Sequence, residues 1–185
     1  MTIRLAQIND LNQILKLQEK YHVDNLSEAE KLEKGFVTTR FTTAQLTELI
    51  AQEGAFIAIT ESGQLAAYAL SGTWEFFSQW AIFPFMLTRL PSIRYKNKEL
   101  TTVNSCQYGP VCIDGEFRGK DVLKQLFTAV LVHYKDRFPF ICTFINAKNE
   151  RSAKAHTTKL PLEIIDTFGF NNNTYYTLAC PSNAL

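Results

Sequence analysis

The sequence predicts a mixed α/β (α+β) fold, and three observations support this prediction. Residues 119–137 carry apolar side chains at the 3.6-residue period of a helix with one buried face. The almost wholly apolar run at residues 140–145 is typical of a buried strand. Two pairs of strand-like runs flank short turns that contain Gly or Asn, which indicates hairpins. The predicted strands and helices alternate along the chain in the manner of a layered α/β architecture.

Two capping boxes mark the predicted starts of helices in the N-terminal third. Asp10 with Gln13, and Thr42 with Gln45, each place a side-chain acceptor before an apolar run at helical spacing. Residues 21–40, between these helices, are charged and weakly periodic, and they predict a helical turn followed by a loop.

The later elements are bounded by residues that break or cap helices. Pro139 ends the helix at residues 119–137, and Asn149 caps a helix that must end before Pro161. An aromatic-rich segment at residues 74–90 has no predicted element. The predicted strands lie at residues 3–7, 55–60, 64–71, 100–104, 107–113, 140–145, 163–170 and 175–179.

The composition predicts one globular domain over residues 1–185. A chain of 185 residues with 46% apolar residues is long enough and apolar enough for a sizeable core. The 19 Lys and Arg residues balance 18 Asp and Glu residues, which argues against general nucleic-acid binding and polybasic membrane attachment. The N-terminus lacks a long apolar segment, and the 4 cysteines lack metal-binding spacing. We therefore expect a cytoplasmic protein that holds no metal and does not span a membrane.

The stretch from Val111 to Leu123 is where the sequence predicts chemistry. An apolar strand leads into a polar loop with Gly115 and Gly119, and a long helix follows. Backbone N–H groups at a helix N-terminus have no intrahelical partner and carry partial positive charge, so such a loop suits a pyrophosphate. A plain strand-to-helix turn is the alternative interpretation of the same residues.

This stretch resembles the GNAT (GCN5-related) acyltransferases. In that superfamily an apolar strand is followed by Arg/Gln-x-x-Gly-x-Gly/Ala at the start of a helix. Residues 117–120, Phe-Arg-Gly-Lys, fit the common opening of this motif, whereas Asp121 and Leu123 stand where Gly and Gly or Ala are usual. We expect Asp121 in the first turn of the helix, where its carboxylate competes with a pyrophosphate for the N–H donors.

A second similarity to the same superfamily follows the next strand. GNAT proteins carry Asn-x-x-Ala/Ser-x-x-x-Tyr/His there, and Asn149, Ser152 and His156 fit this pattern. The sequence then departs from the family, because Pro161 and Leu162 replace a Gly-aromatic pair.

The resemblance implies both a fold and a reaction. It implies a mostly antiparallel central sheet flanked by helices, with a splayed central pair of strands to whose edge pantetheine adds like a strand. It also implies that acetyl-CoA is the acyl donor, that a backbone N–H at this edge polarises the thioester carbonyl, and that an amine attacks directly. The residues expected at the acetyl-CoA site are Cys112, Ile113, Asp114, Arg118, Gly119, Lys120, Asp121, Val122, Leu123, Asn149 and Ser152.

Several side chains are candidates for proton transfer. His156 stands where the family commonly has a Tyr that protonates the leaving thiolate, and an imidazole can donate to sulfur. Tyr108, Glu75 and Asp114 flank the central strands and are candidate bases for the incoming amine, as is water. A nucleophilic role for Cys112 is less favoured than inert packing in a strand.

Two other functions stay open beside an acetyltransferase. Asp121, Leu123 and Pro161 favour a CoA-binding module without catalysis, because they depart from the family pattern. The aromatic residues at 74–85 favour a protein-interaction module without CoA. These aromatic side chains line an acceptor pocket or lid, or they belong to the core or to a homodimer interface.

Overall fold

The computed structural model describes residues 1–184 of the chain. A mostly antiparallel sheet of 7 strands is flanked by helices, which confirms the predicted fold class. Within the described residues the strands are β1 (Thr2–Leu5), β2 (Ala55–Ile59), β3 (Leu65–Gly72), β4 (Arg94–Tyr95), β5 (Lys98–Glu99), β6 (Ser105–Ile113), β7 (Phe140–Asn146), β8 (Glu163–Phe170) and β9 (Asn173–Pro181). The α-helices are α1 (Leu11–Tyr21), α2 (Glu28–Lys34), α3 (Thr43–Ala51), α4 (Trp74–Phe77), α5 (Ile82–Arg89), α6 (Val122–Tyr134) and α7 (Glu150–Lys159). The sheet order is β1-β2-β3-β6-β7-β9-β8, and β4 and β5 form a separate hairpin.

The chain divides into two compact units, of which the N-terminal unit comprises Met1–Ser71 and Gly109–Val130. In this unit β1, β2 and β3 form an antiparallel meander in which Thr2 lies opposite Ile59. The apolar stripes of α1, α3 and α6 supply its buried side chains. Large side chains that are fully buried here include Ile14, Phe41, Leu46, Leu49, Ile57, Tyr68 and Phe127.

The C-terminal unit comprises Gly72–Tyr108 and the described residues from Leu131 onward. Here β9 lies between β7 and β8 and pairs antiparallel with both. The start of β6 pairs parallel with β7 along a short ladder that joins residues 105–107 to residues 140–142. A short ladder of this kind is what a splayed central pair of strands requires.

Asp10 does not form the predicted capping box with Gln13. Its carboxylate instead accepts hydrogen bonds from the Arg4 guanidinium at 2.7 and 2.9 Å and from the Gln7 backbone N–H at 2.7 Å. Asp10 makes no side-chain cap on α1. The Arg4 guanidinium outcompetes the helix N–H groups, because its two hydrogen bonds join opposite full charges in a bidentate geometry.

The loop expected at residues 21–40 contains a further helix. Ser27 and Glu30 form a complete capping box at the start of α2, so the expectation of a helical turn and a loop was incomplete. The signal was present, since Ser followed three residues later by Glu is a capping box. The predicted box of Thr42 and Gln45 is confirmed at α3.

The strand predicted at residues 100–104 is wrong. The Thr101 N–H donates to Asn104 Oδ1 at 2.8 Å, and the Asn104 N–H donates to Thr101 Oγ1 at 3.2 Å. These reciprocal bonds build a turn, since short polar side chains compete with the backbone for its own hydrogen bonds. The strand β6 begins only after this turn, at Ser105.

The aromatic-rich segment forms α4 and α5, and its largest side chains are core residues of the C-terminal unit. Trp74 is fully buried and donates from Nε1 to Ser105 Oγ at 3.0 Å. The rings of Phe77 and Phe83 lie 4.9 Å apart, and Phe83 contacts Phe144 of β7 at 5.2 Å. Close aromatic packing of this kind stabilises a core more than its area alone predicts.

The predicted cap and end of α7 and the predicted turn of the last hairpin are confirmed. Asn149 caps α7 by accepting from the Ser152 N–H at 3.3 Å, and α7 ends before Pro161. Asn171 and Asn172 have φ of 46° and 58° in the turn between β8 and β9, as expected for residues that tolerate positive φ. Among residues 1–184, the structure holds no helix with the length and apolar character that a membrane crossing needs.

Candidate functional site

Asp114, directly after β6, anchors the loop that the sequence singles out. Lys20 Nζ of α1 lies 3.0 and 2.8 Å from its two carboxylate oxygens. Asp114 Oδ1 accepts from the Glu116 N–H at 3.4 Å and caps the 3-10 turn Gly115–Phe117. Its backbone N–H donates to Ala66 O of β3 at 2.9 Å. These contacts fix the point at which the loop leaves the sheet, and they engage the backbone N–H of one of the three residues expected at the pantetheine edge.

The N–H of Ile113 has a different orientation from that of Asp114. In a strand, the backbone groups of successive residues point to opposite sides. Because the Asp114 N–H faces β3, the Ile113 N–H faces away from β3, and Cys112 shares the orientation of Asp114. Among these three predicted edge residues, Ile113 is therefore the one whose N–H points away from β3.

Tyr21, at the end of α1, ties this helix to the loop. Its hydroxyl accepts the Gly115 N–H at 2.8 Å. The Arg118 guanidinium lies 5.0 Å above the Tyr21 ring, and Arg118 Nε donates to Ile113 O at 3.2 Å. Stacking of Arg on an aromatic face and a hydrogen bond to the backbone hold this cation beside the loop.

The loop enters α6 through two residues with left-handed backbone. Gly119 has φ of 79° and Asp121 has φ of 56°. A Cβ on Gly119 would meet nothing within 4 Å, so the backbone angle and not space is what favours glycine there. Asp121 precedes the first helical residue, and its carbonyl accepts from the Gln125 N–H at 3.0 Å. The expectation that Asp121 lies within the first helical turn is therefore wrong.

The start of α6 presents backbone donors while its apolar side chains are buried. The N–H groups before Gln125 have no carbonyl four residues earlier within the helix. Val122 and Leu123 are only 2% and 8% exposed, so the bulk of Leu123 lies in the interior of the unit. The side chains of Lys120 and Asp121 are exposed. A cation and an anion therefore flank the N-terminus of this helix.

Cys112 is a packing residue in this structure. Its side chain is buried, and Sγ lies 3.9 Å from Leu17 O of α1. Burial raises the pKa of the Cys112 thiol far above its usual range. A protonated, buried thiol is a poor nucleophile, which agrees with the predicted inert role.

His156, on α7 of the C-terminal unit, is buried and has a defined partner. Its Nδ1 lies 2.8 Å from the Ser152 backbone oxygen and 3.3 Å from Ser152 Oγ. The residue is 7% exposed, and burial lowers the pKa of the imidazole below its ordinary value. The imidazole is therefore neutral near pH 7.

Tyr108 of β6 lies beside His156. The centroids of the two rings are 6.0 Å apart. Tyr108 is fully buried, and this burial raises the pKa of its phenol well above the ordinary value. Tyr108 is therefore a neutral phenol at physiological pH and holds no negative charge with which to accept a proton. Glu75, another candidate base, is exposed in the first turn of α4.

Comparison with protein-family profiles and with curated proteins yields no match. Among residues 1–184, no group of three His, Cys, Asp or Glu side chains is arranged to hold a metal ion.

Comparison with solved structures identifies the fold. An acetyltransferase of the GNAT family from Streptococcus agalactiae 2603 is 15% identical, with 97% of this chain and 94% of that chain covered and a TM-score of 0.67. A ribosomal-protein-alanine N-acetyltransferase from Brucella melitensis is 17% identical, with 98% and 99% covered and a TM-score of 0.64. A GNAT superfamily phosphinothricin acetyltransferase from Sinorhizobium meliloti, solved in complex with AcCoA, is 16% identical, with 97% and 87% covered and a TM-score of 0.63. The chain therefore has the GNAT fold, as the two sequence motifs indicate.

Proposed function

We propose that this protein transfers an acetyl group from acetyl-CoA to an amine. The observation that carries the proposal is the loop between β6 and α6, in which left-handed Gly119 and Asp121 lead into a helix with unpartnered N–H groups. A helix N-terminus reached through such a loop suits a pyrophosphate, because backbone donors and the helix dipole act together. The GNAT fold of the chain and its motifs at residues 117–123 and 149–156 support the same assignment.

The charges around the loop bear on how tightly it holds CoA. Arg118, positioned by Tyr21, and exposed Lys120 supply positive charge to a pyrophosphate. Asp121 adds one exposed negative charge beside the same N–H groups. We expect Asp121 to weaken binding without abolishing it, because the backbone donors do not depend on the side chain and water screens an exposed charge.

The proposed chemistry is direct aminolysis of the thioester. The amine nitrogen forms a bond to the acetyl carbon, the carbon–sulfur bond breaks, and the electron pair of that bond leaves with CoA as a thiolate. The Ile113 N–H, which points away from β3, is the donor proposed for the thioester carbonyl oxygen as negative charge develops there. The amine must lose its ammonium proton before attack, and the thiolate gains a proton after it leaves.

A CoA-binding module without catalysis is the second candidate. This candidate is favoured because two of the side chains expected as bases are poorly suited to accept a proton. Asp114 is paired with Lys20, and Tyr108 is a buried neutral phenol. Burial of Trp74 and Phe77 in the core argues against the third candidate, a protein-interaction surface built from the aromatic segment.

Turnover and binding together test the proposal. Purified protein is incubated with acetyl-CoA and lysine, spermidine or a peptide with a free N-terminal alanine, and released CoA thiol is measured. Binding of CoA is measured separately by titration calorimetry. Turnover of an amine supports the transferase, binding without turnover of any amine supports the second candidate, and the absence of both refutes the acetyl-CoA site.

A matched pair of glycine variants tests the loop. Gly119 and Gly63 have φ of 79° and 80°, and a Cβ at either position would meet nothing within 4 Å. Both Gly→Ala changes therefore carry the same backbone penalty, about 1 kcal/mol of unfolding free energy. Only Gly119→Ala is expected to weaken CoA binding, by about tenfold, because it shifts the donors of the loop. Equal loss of CoA affinity in both variants, or in neither, contradicts the assignment of the loop.

A further inference from the structure

Arg118 carries a positive charge that no carboxylate neutralises. Its guanidinium lies 5.0 Å above the Tyr21 ring, and its Nε donates to Ile113 O at 3.2 Å. Among residues 1–184 no Asp or Glu side chain forms an ion pair with it. Within the same part of the chain its other N–H groups have no protein acceptor, so they are open to an anion.

The Asp114 carboxylate is the charge that would compete for Arg118, and Lys20 holds it. Asp114 adjoins Ile113, whose carbonyl oxygen Arg118 already contacts. Lys20 Nζ lies 3.0 and 2.8 Å from the two carboxylate oxygens of Asp114. The Asp114 side chain is only 12% exposed, whereas that of Lys20 is 54% exposed. A carboxylate that water reaches so little needs a cationic partner, because its desolvation is otherwise uncompensated.

Lys20 and Arg118 belong to one small group of charges in the N-terminal unit. Lys20 Nζ and the Arg118 guanidinium lie 5.5 and 5.0 Å from the centre of the same Tyr21 ring. Burial dominates the raised pKa of the Cys112 thiol, and the charges of these two cations and of Asp114 also act on it. The hydrogen bond to Asp114 is the largest cause of the raised pKa of Lys20, so this ammonium is charged near pH 7. If Lys20 is removed, Arg118 is the cation of this group that is left to pair with the carboxylate.

We propose that Lys20 is a positioning residue for acetyl-CoA, and that it acts without contacting the ligand. Lys20 binds the Asp114 carboxylate and thereby leaves the Arg118 guanidinium free for the pyrophosphate. The inference rests on the proposed acetyl-CoA site at the loop before α6. Without Lys20 the carboxylate pairs with Arg118, and a guanidinium paired in this way offers less charge and fewer N–H donors to a phosphate.

Titration calorimetry with CoA measures this role without any turnover. Lys20→Met should weaken CoA binding by about tenfold, the size of one charge-assisted hydrogen bond. Lys20→Arg keeps the ion pair with Asp114 and should bind CoA as the wild type does. Lys16→Met removes another exposed lysine of α1 and serves as the control for net charge, so it should also keep the wild-type affinity.

Second substitutions separate this role from a direct attraction between Lys20 and the phosphates of CoA. Arg118→Gln should itself weaken binding, and in that background Lys20→Met should cause no further loss, because the guanidinium that Lys20 protects is absent. In the Lys20→Met background, Asp114→Asn should restore most of the affinity. The uncharged amide does not compete for Arg118, and it still accepts the Glu116 N–H that Asp114 Oδ1 accepts at 3.4 Å.

Several results would overturn the inference. Wild-type affinity in Lys20→Met would show that Arg118 does not need Lys20. An equal loss from Lys20→Met with and without Arg118 would mean that Lys20 acts on the ligand directly, and no recovery with Asp114→Asn would indicate a structural defect. If Lys20→Met does not fold, Lys20→Gln gives the same comparison, because it removes the charge but keeps a donor for Asp114.

The wild-type titration distinguishes failure of this inference from failure of the proposed function. Wild-type protein that binds CoA, with no coupling between Lys20 and Arg118, leaves the acetyl-CoA site in place and refutes only the role of Lys20. Wild-type protein that does not bind CoA refutes the site itself, and the role of Lys20 fails with it.

Discussion

Substitutions of Asp121 give the sharpest test of the loop geometry. Asp121 has φ of 56°, in the left-handed region that glycine adopts freely and alanine does not. We therefore compare Asp121→Gly with Asp121→Ala. Both changes remove the same charge, so their difference isolates the backbone.

The expected difference follows from two opposing effects. A left-handed backbone costs an L-residue about 1–2 kcal/mol, which Asp121→Ala retains and Asp121→Gly removes. Glycine loses about 0.4–1 kcal/mol more chain entropy on folding than alanine. The Gly variant should therefore be the more stable of the two by about 0.5–1 kcal/mol. If residue 121 lay in the first helical turn instead, the Ala variant would be the more stable by about the same amount.

Urea unfolding of the two variants, monitored by circular dichroism, measures this difference in the free energy of unfolding. If the dependence on urea concentration has the same slope in both variants, the difference follows from their two midpoints. An Ala variant that is more stable than the Gly variant would refute the left-handed assignment at residue 121. Calorimetric titration with CoA adds the electrostatic effect. Both variants should bind CoA more tightly than the wild type, and the gain should shrink at high salt. No gain in either variant would mean that the Asp121 carboxylate lies away from the pyrophosphate.

Two further predictions concern buried polar groups in the N-terminal unit, and both are checked by urea unfolding. Tyr21→Phe removes the acceptor of the Gly115 N–H and should lower the free energy of unfolding by about 0.5–1.5 kcal/mol. Tyr68→Phe should be neutral or stabilising, because the fully buried Tyr68 hydroxyl has no hydrogen-bond partner among the described residues. A clear loss of stability in Tyr68→Phe would show that this hydroxyl is bonded. Asp10, whose pKa is lowered chiefly by its hydrogen bonds to Arg4, should add stability above the ordinary carboxyl pKa of about 3.9, and this contribution should disappear as pH falls through its folded-state pKa. Asp10→Asn should therefore lose about 1 kcal/mol at pH 7 and show a shallower fall in acid than the wild type, and an unchanged acid profile would contradict this role.

Local sequence patterns predicted most of the elements because short-range physics dominates them. The apolar stripe of α6 and the apolar run of β7 are visible in the sequence and predict these elements directly. The capping residues Thr42 and Asn149 accept hydrogen bonds from N–H groups three residues away, so their effect is also local. The errors arose where a nearby polar side chain or backbone group outside the expected pattern competes. Asp10 turned to Arg4 instead of its own helix, and residues 100–104 folded into a turn of reciprocal side-chain bonds.

The sequence predicted where the candidate site lies along the chain, but it did not predict all of the residues that contact the loop. The motif marked the loop before α6 and placed His156 on α7. It did not reveal Tyr21, which contacts the loop from 94 residues away. A Tyr at the end of a helix carries no local signal for such a contact. Lys20 was missed for the same reason, because its bond to Asp114 also spans 94 residues.

The sequence by itself determined the fold class, the strand-to-helix loop and its flanking charges, because these follow from periodicity, capping and residue type. The tertiary structure alone decided two properties: the direction of the Ile113 N–H and the burial of His156. Each depends on how the chain closes around a residue. Burial sets the charge state of the imidazole, and the bond of the neighbouring residue to β3 sets the direction of an N–H. Such conditions are created by atoms distant in sequence, so no local pattern of residues encodes them.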